Sequence, residues 1–325
     1  MPAARMTRRG FLGGSLGAAG TLLPWGTGAL SNAASRAWDG DRASTSRTPL
    51  TVTDLGGGLH LLSTRDWNAL ALAGAEGALL VDGGSAPYSR QVLETAGRLA
   101  GGGPVQALFN THWHWDHSGA NEAVAATHAR IIAHRNTRLW LGVPITVEWQ
   151  QRTWPARPAS ALPTSTFIYG TPDLQFSDQP VRYGHLPAAH TDGDIYVHLP
   201  RHNVIAAGGV VASGRYPIID YSTGGWIGGM ADAVRQLIGL CDDGTRIIPE
   251  CGPPLSLADL RVQLKLFETV RDQIREAVRK ALDFEDLLAT RPTRAWDDLF
   301  GDPQQFLRLA WNSSHGHDRD NGWIY

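Results

Sequence analysis

The stretch VQALFNTHWHWDHSG, residues 105 to 119, constrains the fold more than any other. It starts with the composition of a buried strand. Without an intervening turn signal it runs into HWHWDH, three histidines and an aspartate within six residues. Side chains this polar are costly to bury beside an apolar strand unless they are paired or hold an ion. His112 and His114 are two apart, and on an extended segment that places both rings on one face, within reach of one ion. Asp116 and His117 follow where DHSGAN turns towards a helix, and they can point at a second ion nearby. Neutral imidazoles and carboxylates are ligands of divalent zinc. The competing reading is a solvated polar loop.

The chain around this stretch alternates strand and helix signals. GLHLLST (58–64) and NALALAGAEGALLVDGG (68–84) read as a Gly-broken β-meander. PYSRQVLETAGRLA (87–100) has helical spacing at Val92, Leu93, Ala96 and Leu99, with Pro87 in its first turn. A short helix (119–127), a strand (129–134) and another short helix (136–142) come after the histidines. Residues 143–166 are rich in Pro and Trp without a clean period, as expected of a lid or of a passive surface excursion. Strand signals return at 174–188, 194–200 and 203–211. A helix (230–241), a strand (245–250) and a long amphipathic helix (256–283) follow, the last with Ser256 as its N-cap. After Pro292 the sequence reads as a short tail. His315 and His317 lie in it, as possible metal ligands or as part of a solvated terminus.

The first 33 residues read as a leader rather than fold: Arg5, Arg8 and Arg9, then an apolar Gly-rich run from Phe11 to Leu23, then SNA ending at Ala33 as a cleavage site. The run is too short for an ordinary transmembrane helix. TRRGFLGG resembles a twin-arginine export signal. Export by the twin-arginine machinery to a periplasmic or secreted location is therefore expected. Residues 34–49 read as a polar linker, 50–290 as one domain and 291–325 as a C-terminal extension. The formal charge is −2, and removal of three leader arginines, with no acids, takes it to −5. Such a charge does not favour nucleic acid or an anionic membrane as partner, and the expected partner is a small-molecule substrate.

THWHWDH resembles the H-x-H-x-D-H motif of the metallo-β-lactamase fold superfamily. LLVDGG (79–84) is similar to the strand before that motif, with Asp82 beneath the ligands. AAHTDGD (188–194) is similar to the segment carrying a third histidine, here His190. GRYPIID (214–220) and RIIPECGPP (246–254) follow in the superfamily's order. The resemblance covers about residues 50 to 290. It implies an α/β (α+β) fold, a four-layer αββα sandwich with metals at one sheet edge. It implies a first zinc on His112, His114 and His190, and part of a second on Asp116 and His117. A water between two ions would lose its proton near neutral pH and become the nucleophile, with Asp116 orienting it or taking the proton. The implied activity is zinc-dependent hydrolysis of an ester, lactone, amide or thioester, with one or two ions. Another divalent metal could replace zinc.

Two departures leave alternatives open. Where the superfamily's hydrolases carry a bridging Asp after a Gly, this chain has Gly208-Gly209. Where relatives have the His of PGHG, this chain has Cys251, preceded by Glu250 as an additional possible oxygen ligand. Cys251 can be a thiolate ligand, an inert core residue or a disulfide partner of Cys241, although the intervening strand sets the two cysteines far apart. Tyr216, in the loop that relatives place near the metals, could donate to an oxyanion or simply pack; Asp220 shares that loop. Trp113 and Trp115 could wall the pocket or pack beneath it, and Trp149 and Trp154 could cover an apolar substrate. The rival functions are a true metallo-β-lactamase and a non-hydrolytic metal-binding or redox member, including an iron site.

Overall fold

The computed structural model describes residues 48–320. The leader expected over 1–33, and all but the last two residues of the expected linker, lie outside the described residues, as do the side chains of His315 and His317.

Four layers make up the domain. The first sheet holds β1 (Thr51–Gly56), β2 (Leu59–Ser63), β3 (Asn68–Gly74), β4 (Gly77–Val81), β5 (Val105–Phe109), β6 (Arg130–His134) and β9 (Ser165–Phe167) in that spatial order. It is antiparallel from β1 to β4 and parallel from β4 onward. The second sheet holds β10 (Asp173–Phe176), β11 (Gln179–His185), β12 (Ile195–Leu199), β13 (Val204–Gly208) and β14 (Arg246–Pro249), with only the β13–β14 pair parallel.

Side-chain alternation builds the layers. On β4, Leu79 and Val81 point between the sheets, where they meet Val197, Val204 and Ile248 of the second sheet. Ala78 and Leu80 point outward, under Val92 and Ala96 of α1 (Ser89–Leu99) and Val124 of α2 (Asn121–Ala125). On β13, Val204 and Ala206 face inward, whereas Ile205 and Ala207 face α4 (Ile227–Ile238) and α5 (Leu257–Arg279). Each large apolar side chain buried in this way contributes about 1.5–3 kcal/mol. The expected αββα sandwich is the fold found.

Helix α5 starts where expected. Ser256 Oγ accepts from the Asp259 N–H, while the Asp259 carboxylate accepts from the Ser256 N–H at 2.8 Å. Two segments differ from the sequence reading. Residues 143–166 are not wholly irregular: β7 (Ile145–Val147) and β8 (Arg152–Trp154) form a hairpin, and β9 extends the first sheet. Three-residue strands are too short to show a period. The segment after Pro292 is more than a tail. Phe306, Leu307 and Ala310 of its helix α8 (Gln304–Asp320) enter the core between α4 and α5. No helix among the described residues is long and apolar enough to cross a membrane.

Candidate metal centre

The site forms where β4, β5, β13 and β14 end and β12 begins, at one edge of both sheets. Backbone hydrogen bonds lash these ends together. Ile195 N–H donates to Thr111 O at 2.9 Å, joining the two sheets, and Glu250 N–H donates to Gly208 O at 2.9 Å. Asn68 closes the floor by donating from Nδ2 to Pro249 O (3.0 Å) and Gly252 O (2.8 Å).

Two sets of ligand atoms converge here: His112, His114 and His190, and His112, His117 and Glu250. In each set the atoms lie within 4.8 Å of one another. All five residues are buried, with at most 4% exposure. Each imidazole is pinned by an outer partner that dictates its tautomer. Thr111 Oγ1 donates its only proton to Asp82 Oδ2 at 2.8 Å, so at 2.9 Å it accepts from His112 Nδ1–H. His190 Nδ1 donates to Ile218 O at 2.8 Å. His114 uses Nε2, donating to Asp220 Oδ2 at 3.1 Å, and His117 uses Nδ1, donating to Asp82 Oδ2 at 3.1 Å. The inward nitrogens of His112, His114 and His190 are thereby left as lone pairs, and that of His117 becomes one when its proton is released. Those of His114 and His190 face each other at 2.9 Å. His112 Nε2, His117 Nε2 and Asp116 Oδ1 are buried without a hydrogen-bond partner. Lone pairs turned towards one another in a dry site, with orphaned buried acceptors beside them, are what a divalent cation satisfies. The residues fit a metal.

The electrostatics agree. Burial, then the neighbouring His117, His114 and His190, holds the His112 pKa well below its ordinary value, which favours the neutral, coordinating form. Burial also lowers His114, and the Asp220 hydrogen bond only partly opposes it. At His117 burial acts downward, but the charges of Asp116, Asp82 and Glu250 and the Asp82 hydrogen bond outweigh it and push the pKa up to about 9. A metal binding there releases that proton. Burial would raise Glu250, yet Arg215 and the histidines bring it down to about 2. Asp220 likewise stays ionised, because the hydrogen bond from His114 overcomes burial.

Asp82 has φ +61°, a left-handed conformation that Asp adopts more readily than most residues. Held that way, its carboxylate also accepts from Thr111 N–H at 2.8 Å. The Gly208-Gly209 pair has a steric reason. A side chain at Gly209 would run into the His190 ring, and one at Gly208 (φ +54°) would come within 2.6 Å of Thr111 Oγ1. No bridging carboxylate fits at that point.

Some expected site residues lie elsewhere. Among the described residues neither Asp116 nor Cys251 joins a converging set, although Asp116 Oδ2 lies 3.9 Å from His117 Nε2. Cys251 is buried, and burial followed by the Glu250 charge pushes its thiol up to about 12. Both cysteines are free. The Tyr216 hydroxyl donates to Asp297 Oδ1 at 2.8 Å and its ring stacks on Phe306, so it is tied to the C-terminal helices. Trp113 and Trp154 pack in a buried cluster with Leu141, Ile145 and Val147 rather than lining an open pocket. Trp115 is half-buried at the rim, with the Arg157 guanidinium 3.6 Å above its ring. Glu250, read from the sequence only as an additional oxygen ligand, stands in a converging set, and Arg215, which the sequence reading did not single out, is ion-paired with it.

The sequence profile described as the Metallo-beta-lactamase superfamily matches residues 66–289. No curated protein sequence matches the chain. Among solved structures, a metallo-beta-lactamase from Pontibacter korlensis is similar at 19% identity and a TM-score of 0.56, covering 68% of this chain and 99% of that one. FIM-1 from Pseudomonas aeruginosa, a metallo-beta-lactamase in its mono-zinc form, is similar at 18% identity and a TM-score of 0.54, covering 68% and 95%. A metallo beta lactamase from Hirschia baltica is similar at 16% identity and a TM-score of 0.52, covering 67% and 98%. At these identities the structures speak for the fold. With a profile match over more than half its length, and the histidine centre at the sheet edge, this chain belongs to the metallo-beta-lactamase superfamily.

Proposed function

We propose that the protein is a zinc-dependent hydrolase that cleaves an ester, lactone, amide or thioester bond of a small molecule. The observation that carries this is the set of four imidazoles, each fixed by an outer acceptor so that its other nitrogen points inward. His112, His114 and His190 would hold the first ion. When bound, zinc acidifies water to near neutrality and polarises a carbonyl.

The chain's own residues supply the rest. Asp116 Oδ1, buried and without a hydrogen-bond partner, accepts a proton from the attacking water and orients it. Asp82 keeps Thr111 and His117 in place through three hydrogen bonds, and Asp220 keeps His114 in place through one. Thr223 Oγ1 donates to Asp220 Oδ2 at 2.8 Å and accepts from Trp113 Nε1 at 3.0 Å, which anchors Asp220 to the loop that carries the ligands. The near-complete burial of these groups excludes bulk water, so the fixed dipoles act at low dielectric. The basic, Gly-rich N-terminus supports export by the twin-arginine route to the periplasm or beyond.

A panel of esters, lactones, thioesters, amides and nitrocefin, offered to zinc-loaded wild type and to His190→Ala, tests this reading. Turnover of at least one class by wild type alone supports it, and nitrocefin as the preferred substrate would make the protein a β-lactamase. Silence across the panel from a fully loaded sample would favour a non-hydrolytic metalloprotein.

A further inference from the structure

The orphaned acceptors of Asp116 and His117 sit beside a carboxylate with a competing cation. Asp116 Oδ2 and His117 Nε2 are 3.9 Å apart, and the Glu250 ligand atom lies within 4.8 Å of those of His112 and His117. One oxygen of Glu250 turns inward, with Oε2 3.9 Å from His190 Nε2. The other turns outward, with Oε1 2.6 Å from Arg215 Nη2. The carboxylate is 4% exposed and the Arg215 side chain 30%. Arg215 therefore reaches from the mouth down to a buried anion. Uncompensated, such an anion is costly to bury.

We propose that Glu250 stands in for the family's missing histidine at the second divalent-cation position, converging with His117 beside Asp116, and that Arg215 is a built-in counter-cation that weakens this site. The guanidinium neutralises Glu250 and adds a positive charge beside the position of a second ion. Ion and arginine thus draw on the same negative charge, and the second ion binds less tightly than the first. The inward oxygen of Glu250 fills the place at the end of β14, and Cys251 takes no part. The proposal rests on the reading that the histidines hold a first ion, and is independent of which bond the enzyme cleaves.

The test is a stepwise zinc titration of the chelator-stripped full chain against a chromophoric chelator, with cobalt(II) substitution as a spectroscopic check. Wild type, Arg215→Gln, Glu250→Gln, Cys251→Ala and the double variant Glu250→Gln/Arg215→Gln are compared. The double variant leaves no unpaired guanidinium and so guards against misfolding of the Glu250 single variant. The expected result is a tight first ion in every case and a weaker second ion in wild type. Arg215→Gln should tighten the second step by about tenfold or more, both Glu250 variants should lose it, and Cys251→Ala should leave it unchanged. The cobalt protein should show no thiolate charge-transfer band.

The proposal is overturned if Arg215→Gln weakens or leaves unchanged the second step, if the double variant keeps a second ion, or if Cys251→Ala removes both that ion and a thiolate band. Failure of wild type to bind even one ion would instead overturn the metal-centre reading itself.

Discussion

Asp220 Oδ2 lies 3.1 Å from His114 Nε2, with both side chains almost wholly buried. The pair is a steering device. By accepting a hydrogen bond from Nε2–H, Asp220 turns the Nδ1 lone pair of His114 towards His190, 2.9 Å away. Of the three first-site histidines, His114 is the one that presents Nδ1, because it alone has its outer acceptor on the Nε2 side.

Asp220→Ala should therefore weaken binding of the first ion by about 10–100-fold, read by competition with a chelator of known affinity. Unchanged affinity would mean that the ring is held by packing alone.

Removing the metal should destabilise the fold, since ligands turned towards a shared point lose the ion that satisfies them. At free metal near 1,000 times Kd the linkage is about 4 kcal/mol. For a domain of this size that corresponds to a fall in Tm of very roughly 8–16 °C. Calorimetry with and without chelator measures it, and coincident melting curves would argue against a tightly held ion.

Tyr216→Phe should cost about 1 kcal/mol of stability through the lost hydrogen bond to Asp297. Turnover should stay at the wild-type level. A loss of turnover at unchanged stability would bring the hydroxyl back into the reaction.

His134, the N-cap of α3 (Arg135–Leu141), and His185, at the end of β11, stack with ring centroids 4.1 Å apart. Burial, then the charge of His185, lowers the His134 pKa from 6.5 to about 4, and burial lowers His185 as well. Folded values below the unfolded ones mean that the unfolded chain takes up more protons in acid. This contribution is full above pH 6.5 and is lost as the pH falls towards 4. Wild type should lose more Tm between pH 7 and pH 5 than His134→Gln, by about 2–4 °C for each kcal/mol of linkage. Parallel pH profiles would contradict it.

How much of this was legible beforehand depended on the length of the signal. The strand leading into HWHWDH, the capped helix from Ser256 and the alternation on β4 were readable because several residues repeat one period. β9 was not, because three residues carry no period. The choice between Glu250 and Cys251 turned on one residue of register. Ile248 faces between the sheets, and Glu250, two residues on, takes the same side. Ile247, on the opposite face, is equally apolar, so alternation along RIIPEC does not choose between the two, whereas matching the family's PGHG favours the cysteine. Asp220 and Arg215 left no local pattern at all, since each acts on a residue distant in the chain.

The most direct test of the central claim is hydrolytic turnover of the best substrate in the panel, measured on one preparation before chelation, after it and after stoichiometric zinc is returned. Turnover that disappears on stripping and comes back with zinc is the predicted result. Turnover that survives complete removal of metal, confirmed by elemental analysis of the same sample, would contradict it.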